Sequence, residues 1–269
     1  FYKNLYKKRG IKRKDLNDIK LENLPVVNKK MIMKNFDKNV TKENISRKSL
    51  EKFLEKREDP TELFNNKYRI IHTSGSTGRI GIFVYSPAEW DFIKAVSLRM
   101  FANFSLKPKR YAYIGAVDGH YAGISLFLSP INQFEEVFYE DYLIININKI
   151  LNNYLDKLNN LKPHNLTGYP SGVRMLAELE LEGKINISPE TVICGGEPFL
   201  EKDRELIKKA WNVEPLNYYA TSETLMIGIE KAIEVQPDDW PPYADQAWVS
   251  RRQLEVRYSF SSVKSAVVE

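Results

Sequence analysis

Hydrophobic and polar positions along this 269-residue chain follow two different periods. Short apolar runs bounded by glycine or polar residues predict strands at 68–73, 81–86 and 110–116, and strands that run into turns within 164–170, 190–198 and 214–223. Apolar residues spaced three or four apart predict helices at 87–104, 146–161, 171–183 and 199–211. This alternation predicts an α/β protein, with a mostly parallel sheet covered by helices. In such sheets, ligands bind at the carboxyl ends of the strands.

The two ends of the chain differ from this pattern. Residues 1–60 predict a segment of short helices, among them 46–59, which begins with a serine cap and places Leu50, Phe53 and Leu54 on one face. Residues 61–230 form the predicted α/β core. Residues 231–269 contain no asparagine but three of the four glutamines. We interpret this tail as either a divergent terminal segment or sequence outside the native fold, such as a frame-shifted end.

Charge is distributed unevenly along the chain. Residues 1–60 hold 18 Lys/Arg and 9 Asp/Glu, whereas the remainder holds 22 and 26. Acidic residues are interspersed and no recognition motif accompanies the basic ones, so a solvated helical face is favoured over nucleic-acid binding. No apolar run approaches the roughly 20 residues of a membrane span, and no signal peptide is visible. Together with a single cysteine, Cys194, this predicts a cytoplasmic protein without a disulfide framework.

The most distinctive local pattern is a loop rich in hydroxyls and glycine between two predicted strands. It consists of Thr73, Ser74, Gly75, Ser76, Thr77 and Gly78, followed by Arg79. Glycines allow the backbone to approach a ligand, and successive N–H groups with hydroxyl donors can bind phosphate oxygens. The loop leads into a strand and lacks the lysine of a Walker A motif. An ordinary turn is the alternative interpretation of the loop taken alone.

Three motifs in order carry a resemblance to a known family: TSGSTG at 73–78, CGGEP at 194–198 and YYATSE at 218–223. Together they resemble the adenylate-forming, or AMP-binding, superfamily. The segments FYKNLYKKRGI at the start, LENLPVVNKKMI at 21–32 and NLTGYPSGVRMLAELE at 165–180 resemble phenylacetate–coenzyme A ligase and its relatives. The resemblance covers about residues 1–230.

The resemblance implies a two-step reaction on a small carboxylic acid. The acid attacks ATP to give an acyl-adenylate, and coenzyme A then accepts the acyl group. Loop 73–79 would hold the β- and γ-phosphates, with Arg79 supplying charge; Ser222 would contact the α-phosphate and Glu223 would bind Mg²⁺. The adenine and ribose would lie against the remaining motif residues, which are Gly195, Gly196, Glu197, Pro198, Tyr219, Ala220 and Thr221.

The acyl pocket is expected between segments 116–123 and 167–171, with His120, Tyr121, Gly168, Tyr169 and Pro170 as candidate walls. His120 is a candidate to face the carboxylate, although a loop histidine is more often solvated or hydrogen-bonded. His72, His164 and Cys194 are interpreted as structural, and no zinc-type spacing of His and Cys occurs.

The sequence also departs from the family pattern. Arg79 stands where relatives often have a lysine. Ala220 stands where they usually have a glycine, and the extra methyl group of the alanine would either crowd the nucleotide or fit a different turn. After Glu230 neither the ribose-binding aspartate nor the lysine-bearing carboxyl-terminal domain is recognisable; Asp238 and Asp239 do not match the expected context. The leading hypothesis is an acyl- or aryl-CoA ligase, and the alternative is a non-catalytic nucleotide- or acyl-binding remnant.

Overall fold

A computed structural model describes residues 1–42, 44–56, 58–75, 80–101, 108–128 and 139–230. Four predicted loop residues, 76–79, and the whole predicted tail with Asp238 and Asp239 lie outside the described residues. The predicted domain boundaries therefore stay predictions.

The chain begins with short helices, as predicted: α1 (Tyr2–Lys8), α2 (Lys29–Lys34), α3 (Phe36–Asn39) and α4 (Arg47–Leu54), with 3₁₀ turns at Arg13–Asn17 and Leu21–Asn23. The Ser46 hydroxyl accepts a hydrogen bond from the Ser49 amide at 3.2 Å, which confirms the serine cap of α4. Leu50 is fully buried, and Phe53 and Leu54 pack against the same cluster. This helical segment therefore has its own apolar core, shared with the strands that follow.

Strands β1 (Arg69–His72) and β2 (Ile82–Tyr85) form an antiparallel hairpin around the hydroxyl-glycine loop. The predicted strand–loop–strand unit is thus confirmed. The hairpin is a separate two-stranded sheet and not part of the main one. Ile70 and Ile82 face the helical segment, whereas Ile71 and Tyr85 face Trp90 and Leu225.

Within the described ranges, the main sheet has six strands in the order β4-β3-β5-β6-β7-β8. Its strands are β3 (Lys109–Gly115), β4 (Tyr139–Asn146), β5 (Asn165–Gly168), β6 (Thr191–Gly195), β7 (Leu216–Thr221) and β8 (Leu225–Ile229). Every neighbouring pair is parallel except β7 and β8, which are antiparallel. The predicted fold class, α/β with a mostly parallel sheet, is confirmed.

The remaining helices are α5 (Pro87–Phe101), α6 (Ala122–Leu128), α7 (Leu155–Leu161), α8 (Pro170–Leu181) and α9 (Glu201–Trp211). One face of the sheet packs on α7, α8 and α9 through Ile114, Leu166, Val192, Leu176 and Ile207, all fully buried. Burial of this kind supplies most of the stability of a parallel sheet, whose strands are covered on both faces.

One predicted helix begins later than expected, and one strand and one helix were not predicted. The helix predicted at 146–161 begins only at Leu151, as a 3₁₀ turn that continues into α7. Asn146 ends β4, and the Ile147 amide still donates to the carbonyl of Gly115 at 2.9 Å. The apolar run at 143–145 signals this missed strand. Helix α6 was missed because it is short and contains Gly123.

Candidate functional site

The carboxyl ends of four parallel strands bring the predicted motifs to one edge of the sheet. Ile114 of β3 is paired with Gly168 of β5, and Gly168 with Cys194 of β6. Gly195 is in turn paired with Tyr218 of β7. The loops that follow these strands are therefore neighbours, although they are far apart in sequence.

The turn after β5 requires glycine. Gly168 has φ +154°, and a Cβ atom there would overlap the carbonyl oxygen of Ile114. The next residue, Tyr169, donates its amide to that same carbonyl at 2.9 Å. Pro170 then occupies the first turn of α8, where its missing N–H costs nothing. The predicted pocket residues Gly168, Tyr169 and Pro170 thus form a tight strand-to-helix turn at this edge.

The glycine pair after β6 lies between two tyrosine rings. A Cβ atom on Gly195 would clash with the ring of Tyr218, and one on Gly196 would lie 3.0 Å from the ring of Tyr169. The glycines allow both rings to lie directly against the backbone. Gly196, Glu197 and Pro198 are exposed at the edge of the sheet, where a ligand can reach them.

Glu197 is held in place by Ser171, which lies in the predicted pocket segment 167–171 but whose contact with Glu197 the sequence did not indicate. The Ser171 hydroxyl donates to Glu197 Oε2 at 2.6 Å, and the Ser171 amide donates to the same oxygen at 3.3 Å. Ser171 lies in the first turn of α8, where a carboxylate is electrostatically favoured. One oxygen of the Glu197 carboxylate therefore links the turn after β6 to the turn after β5.

The third motif forms the hairpin between β7 and β8. The Thr221 Oγ1 accepts a hydrogen bond from the Thr224 amide at 3.3 Å and lies 2.9 Å from the Thr224 hydroxyl. A register shift separates Tyr219 from Ala220, and Ala220 does not have a positive φ. The alanine therefore fits this turn without backbone strain. Tyr219 is 56% exposed, so its ring is available to a ligand.

The base of the hydroxyl-glycine loop is closed by two hydrogen bonds between Thr73 and Gly81. The Thr73 amide donates to the Gly81 carbonyl at 3.0 Å, and the Gly81 amide donates to the Thr73 hydroxyl at 2.9 Å. Gly75 has φ +73°, the left-handed conformation that the glycine was predicted to allow. Ser74 is exposed. The other predicted members, Ser76, Thr77, Gly78 and Arg79, lie outside the described residues.

The hairpin is attached to the sheet edge at both of its strands. The His72 amide of β1 donates to the carbonyl of His120 at 3.0 Å. The Tyr85 hydroxyl of β2 donates to the carbonyl of Ser222 at 2.6 Å. Burial, and then the nearby carboxylate of Glu223, raises the pKa of Tyr85. These contacts fix the hairpin against the loop after β3 and against the turn that carries Glu223; Tyr85 itself pairs with Arg69, at the end of the hairpin away from loop 73–79.

Two histidines lie where the hairpin meets the loop after β3. The His72 ring lies 4.6 Å from the ring of Tyr121, and its Nδ1 lies 3.1 Å from the Thr73 carbonyl, so Nδ1 carries the proton. His120 is fully buried, and its ring lies 5.1 Å from that of Phe53 in α4. Among the residues that the structure describes, neither ring nitrogen of His120 has a hydrogen-bond partner. The prediction that His120 faces a carboxylate stays a prediction, and a ligand reaches this ring only if the residues around it move.

The other residues interpreted as structural are indeed engaged in the fold. His164 Nδ1 accepts a hydrogen bond from the Arg110 amide at 3.0 Å. Cys194 is fully buried in the main core, and burial raises the pKa of its thiol to about 12. Within the described ranges, no group of three or more His, Cys, Asp or Glu side chains is arranged to hold a metal ion. Within the same ranges, no helix is long and apolar enough to cross a membrane.

Comparison with known proteins shows what this fold is similar to. No family model matches the chain. It is 26% identical over 234 residues to protein CapK of Staphylococcus aureus, an alignment that covers 83% of this chain and 46% of CapK. The chain therefore spans about half the length of this curated relative.

Among solved structures, the chain is similar to 2-hydroxyisobutyryl-CoA ligase. The match to its open conformation in complex with 2-HIB-AMP and CoA has a TM-score of 0.62 and 17% identity, and covers 85% of this chain and 51% of the ligase chain. The match to its postadenylation state with 2-HIB-AMP has the same TM-score and 18% identity, and covers 85% and 46%. The fold of the described core is that of the amino-terminal domain of such ligases.

Proposed function

We propose that this chain contributes the ATP- and acid-binding part of an adenylate-forming ligase of the phenylacetate–coenzyme A ligase type. The observation that carries the proposal is the contact between Tyr85 and Ser222, which sets the hydroxyl-glycine hairpin beside Glu223. A triphosphate needs both a set of N–H and hydroxyl donors and a carboxylate that can hold a divalent cation. In this proposal loop 73–79 provides the donors and Glu223 provides the carboxylate.

The described residues fit the nucleotide in three respects. Gly196 is exposed at the carboxyl end of β6, where a base can approach the backbone, and Tyr219 offers an exposed ring for stacking. The Glu223 carboxylate is exposed and is free to take up a cation. Magnesium, when bound, would neutralise charge on the phosphates and on the departing pyrophosphate.

In the proposed first step, a carboxylate oxygen of the acid attacks the α-phosphorus of ATP. A new phosphorus–oxygen bond forms, the bond from the α-phosphorus to the bridging oxygen breaks, and pyrophosphate leaves. The acid is already ionised near neutral pH, so no general base is required. The chain's own contribution is to position the two reactants and to stabilise charge on the leaving group through loop 73–79.

In the proposed second step, the thiol of coenzyme A attacks the acyl carbonyl and AMP leaves. Coenzyme A is the acceptor that the resemblance implies. We propose that this reaction takes place in the cytoplasm, because a reduced thiol acceptor and the lone buried thiol of Cys194 both suit a reducing compartment.

The experiment is exchange of labelled pyrophosphate into ATP with a panel of aryl and aliphatic acids. Exchange that depends on one acid and on Mg²⁺ supports the ligase. Binding of ATP without exchange for any acid supports the alternative, a non-catalytic nucleotide-binding remnant. Failure to bind ATP contradicts the ligase and a nucleotide-binding remnant, and leaves an acyl-binding remnant as the alternative. Glu22→Gln serves as a control, since Glu22 lies in the helical segment and is 74% exposed at its side chain.

A further inference from the structure

Tyr113 lies in β3 on the face of the strand opposite to the main core. Its neighbours Ala112 and Ile114 belong to that core, whereas the Tyr113 ring lies 5.3 Å from the ring of Phe127 in α6. The residue is only 2% exposed. Tyr113 therefore occupies the space between the sheet and α6, close to the carboxyl end of its strand.

Two glycines make room for the Tyr113 hydroxyl. A Cβ atom on Gly115 would lie 2.7 Å from this oxygen, and one on Gly123 would lie 2.5 Å from it. Gly115 belongs to β3 and Gly123 to α6, so the hydroxyl lies between the strand and the helix. Any larger residue at either position would displace the tyrosine.

The hydroxyl has no hydrogen-bond partner in the part of the chain that the structure describes. A buried hydroxyl without a partner costs free energy, and phenylalanine would fill the same space without that cost. Buried polar groups of this kind call for a specific explanation, and one explanation is that a ligand supplies the missing partner.

The surroundings of Tyr113 belong to the proposed active site. Burial, and then the nearby groups of Tyr218 and Tyr169, raises the pKa of Tyr113 well above its usual value, so the hydroxyl keeps its proton and remains a donor. Tyr218 and Tyr169 are the two rings that lie against Gly195 and Gly196. The Tyr169 hydroxyl also accepts a hydrogen bond from the backbone amide of Ala116, directly after β3.

We propose that Tyr113 is a specificity residue whose hydroxyl donates a hydrogen bond to an oxygen on the acyl group of the acid. The substrate class is then a carboxylic acid with a hydroxyl, ether or keto oxygen in addition to its carboxylate. The rings of Phe127, Tyr169 and Tyr218 provide apolar walls for the rest of a compact acyl group, which reaches the buried hydroxyl only when the residues around it move. This inference rests on the proposed function, since it names the acid of the same site.

The test measures equilibrium binding of two matched pairs of acids by calorimetry. The pairs are 4-hydroxyphenylacetate with phenylacetate, and 2-hydroxyisobutyrate with pivalate, in which a methyl group replaces the hydroxyl. Each acid is titrated into the unaltered chain, into Tyr113→Phe and into Tyr142→Phe. Tyr142 is a suitable control because it is 51% exposed and lies on the neighbouring strand β4.

We expect the hydroxylated member of at least one pair to bind about tenfold more tightly to the unaltered chain, as one good hydrogen bond provides. Tyr113→Phe should abolish that preference, whereas Tyr142→Phe should retain it. The melting temperature of Tyr113→Phe without ligand should equal or exceed that of the unaltered chain, because the unpartnered hydroxyl is removed. A merely structural tyrosine would give a lower melting temperature instead.

Three results would overturn the inference: no acid binds, neither pair shows a preference for the oxygen, or the preference survives in Tyr113→Phe. Its failure is distinguishable from that of the proposed function. If pyrophosphate exchange occurs but neither hydroxylated acid binds more tightly than its partner, only the inference about Tyr113 is contradicted. If the hydroxylated acid binds more tightly in a way that depends on Tyr113, but no pyrophosphate exchange occurs, only the proposed ligase reaction is contradicted.

Discussion

The Tyr85 hydroxyl donates a 2.6 Å hydrogen bond to the backbone carbonyl of Ser222, and so joins two segments 137 residues apart. Tyr85 ends β2, and Ser222 lies in the turn between β7 and β8. This bond fixes the hairpin that carries loop 73–79 against the turn that carries Glu223.

Tyr85→Phe removes this bond while the ring keeps its packing against Trp90, which lies 5.7 Å away. We expect the free energy of unfolding to fall by about 1 kcal/mol. The Kd for ATP with Mg²⁺ should rise about fivefold, because the hairpin is no longer held in place. Urea unfolding and calorimetric titration measure the two effects. Unchanged ATP binding would show that the hairpin does not take part in the site.

Glu223→Gln keeps the shape of the side chain but removes the charge proposed to hold Mg²⁺. We expect pyrophosphate exchange to fall about 10²-fold, comparable to the loss of one charge-stabilising group in other active sites. Stability should change little, because the side chain is exposed. Glu22→Gln should leave exchange unaltered. Full exchange in Glu223→Gln would exclude this carboxylate from metal binding.

His120 should make the stability of the fold depend on pH. Burial, followed by the positive charges of His72 and Arg69, lowers the pKa of His120 to about 4, against the opposing effects of Glu62 and Asp59. The unfolded chain protonates the same residue near 6.5, so stability is complete above pH 6.5 and falls as the pH is lowered from 6.5 to 4. The loss is at most about 1.4 kcal/mol for each pH unit.

The measurement for His120 is urea unfolding at pH 7.0, 6.0 and 5.0. His120→Gln stays neutral at every pH, and its unfolding free energy should vary less over this range than that of the unaltered chain. His164→Gln is the matched control, since His164 is hydrogen-bonded to the Arg110 amide. If the unfolding free energies of the unaltered chain and of His120→Gln depend equally on pH, the pKa of His120 is not lowered by folding.

Gly168→Ala and Gly183→Ala compare two glycines with positive φ. Gly168 has φ +154° and no space for a Cβ atom beside the Ile114 carbonyl, whereas Gly183 has φ +70° and no atom within 4 Å of such a Cβ. We expect a loss of about 1 kcal/mol for Gly183→Ala from backbone strain alone. Gly168→Ala should lose about 3 kcal/mol, because steric overlap is added. Thermal or urea unfolding provides both values, and equal losses would argue against the described turn after β5.

Much of the fold was predictable from short-range patterns. Ser46 caps α4 as its sequence context indicates, and the run around Ile70 and Ile71 forms a buried strand. These features depend on neighbours within a few residues, so the sequence displays them directly. The predicted helix over 146–161 was too long, because Ile147 and Ile150 fit a helical spacing although the segment leaves β4 through a turn.

The order of the motifs and the types of their residues indicated a nucleotide site, but not how its parts meet. The contacts of Ser171 and Tyr85 were missed because their partners, Glu197 and Ser222, lie 26 and 137 residues further along the chain. His120 illustrates the same point, since nothing local to its loop indicates burial against Phe53 of α4.

The sequence by itself determined the alternation of strands and helices, the positions of the turn glycines and the set of polar groups suited to phosphate. Those properties follow from local sterics and from hydrophobic periodicity. Only the tertiary structure decided that the hairpin stands apart from the six-stranded sheet, that Tyr85 reaches Ser222, and that the Tyr113 hydroxyl is buried without a partner among the described residues. The reason is physical: strand order and side-chain contacts are set by packing between segments distant in sequence, which no local pattern encodes.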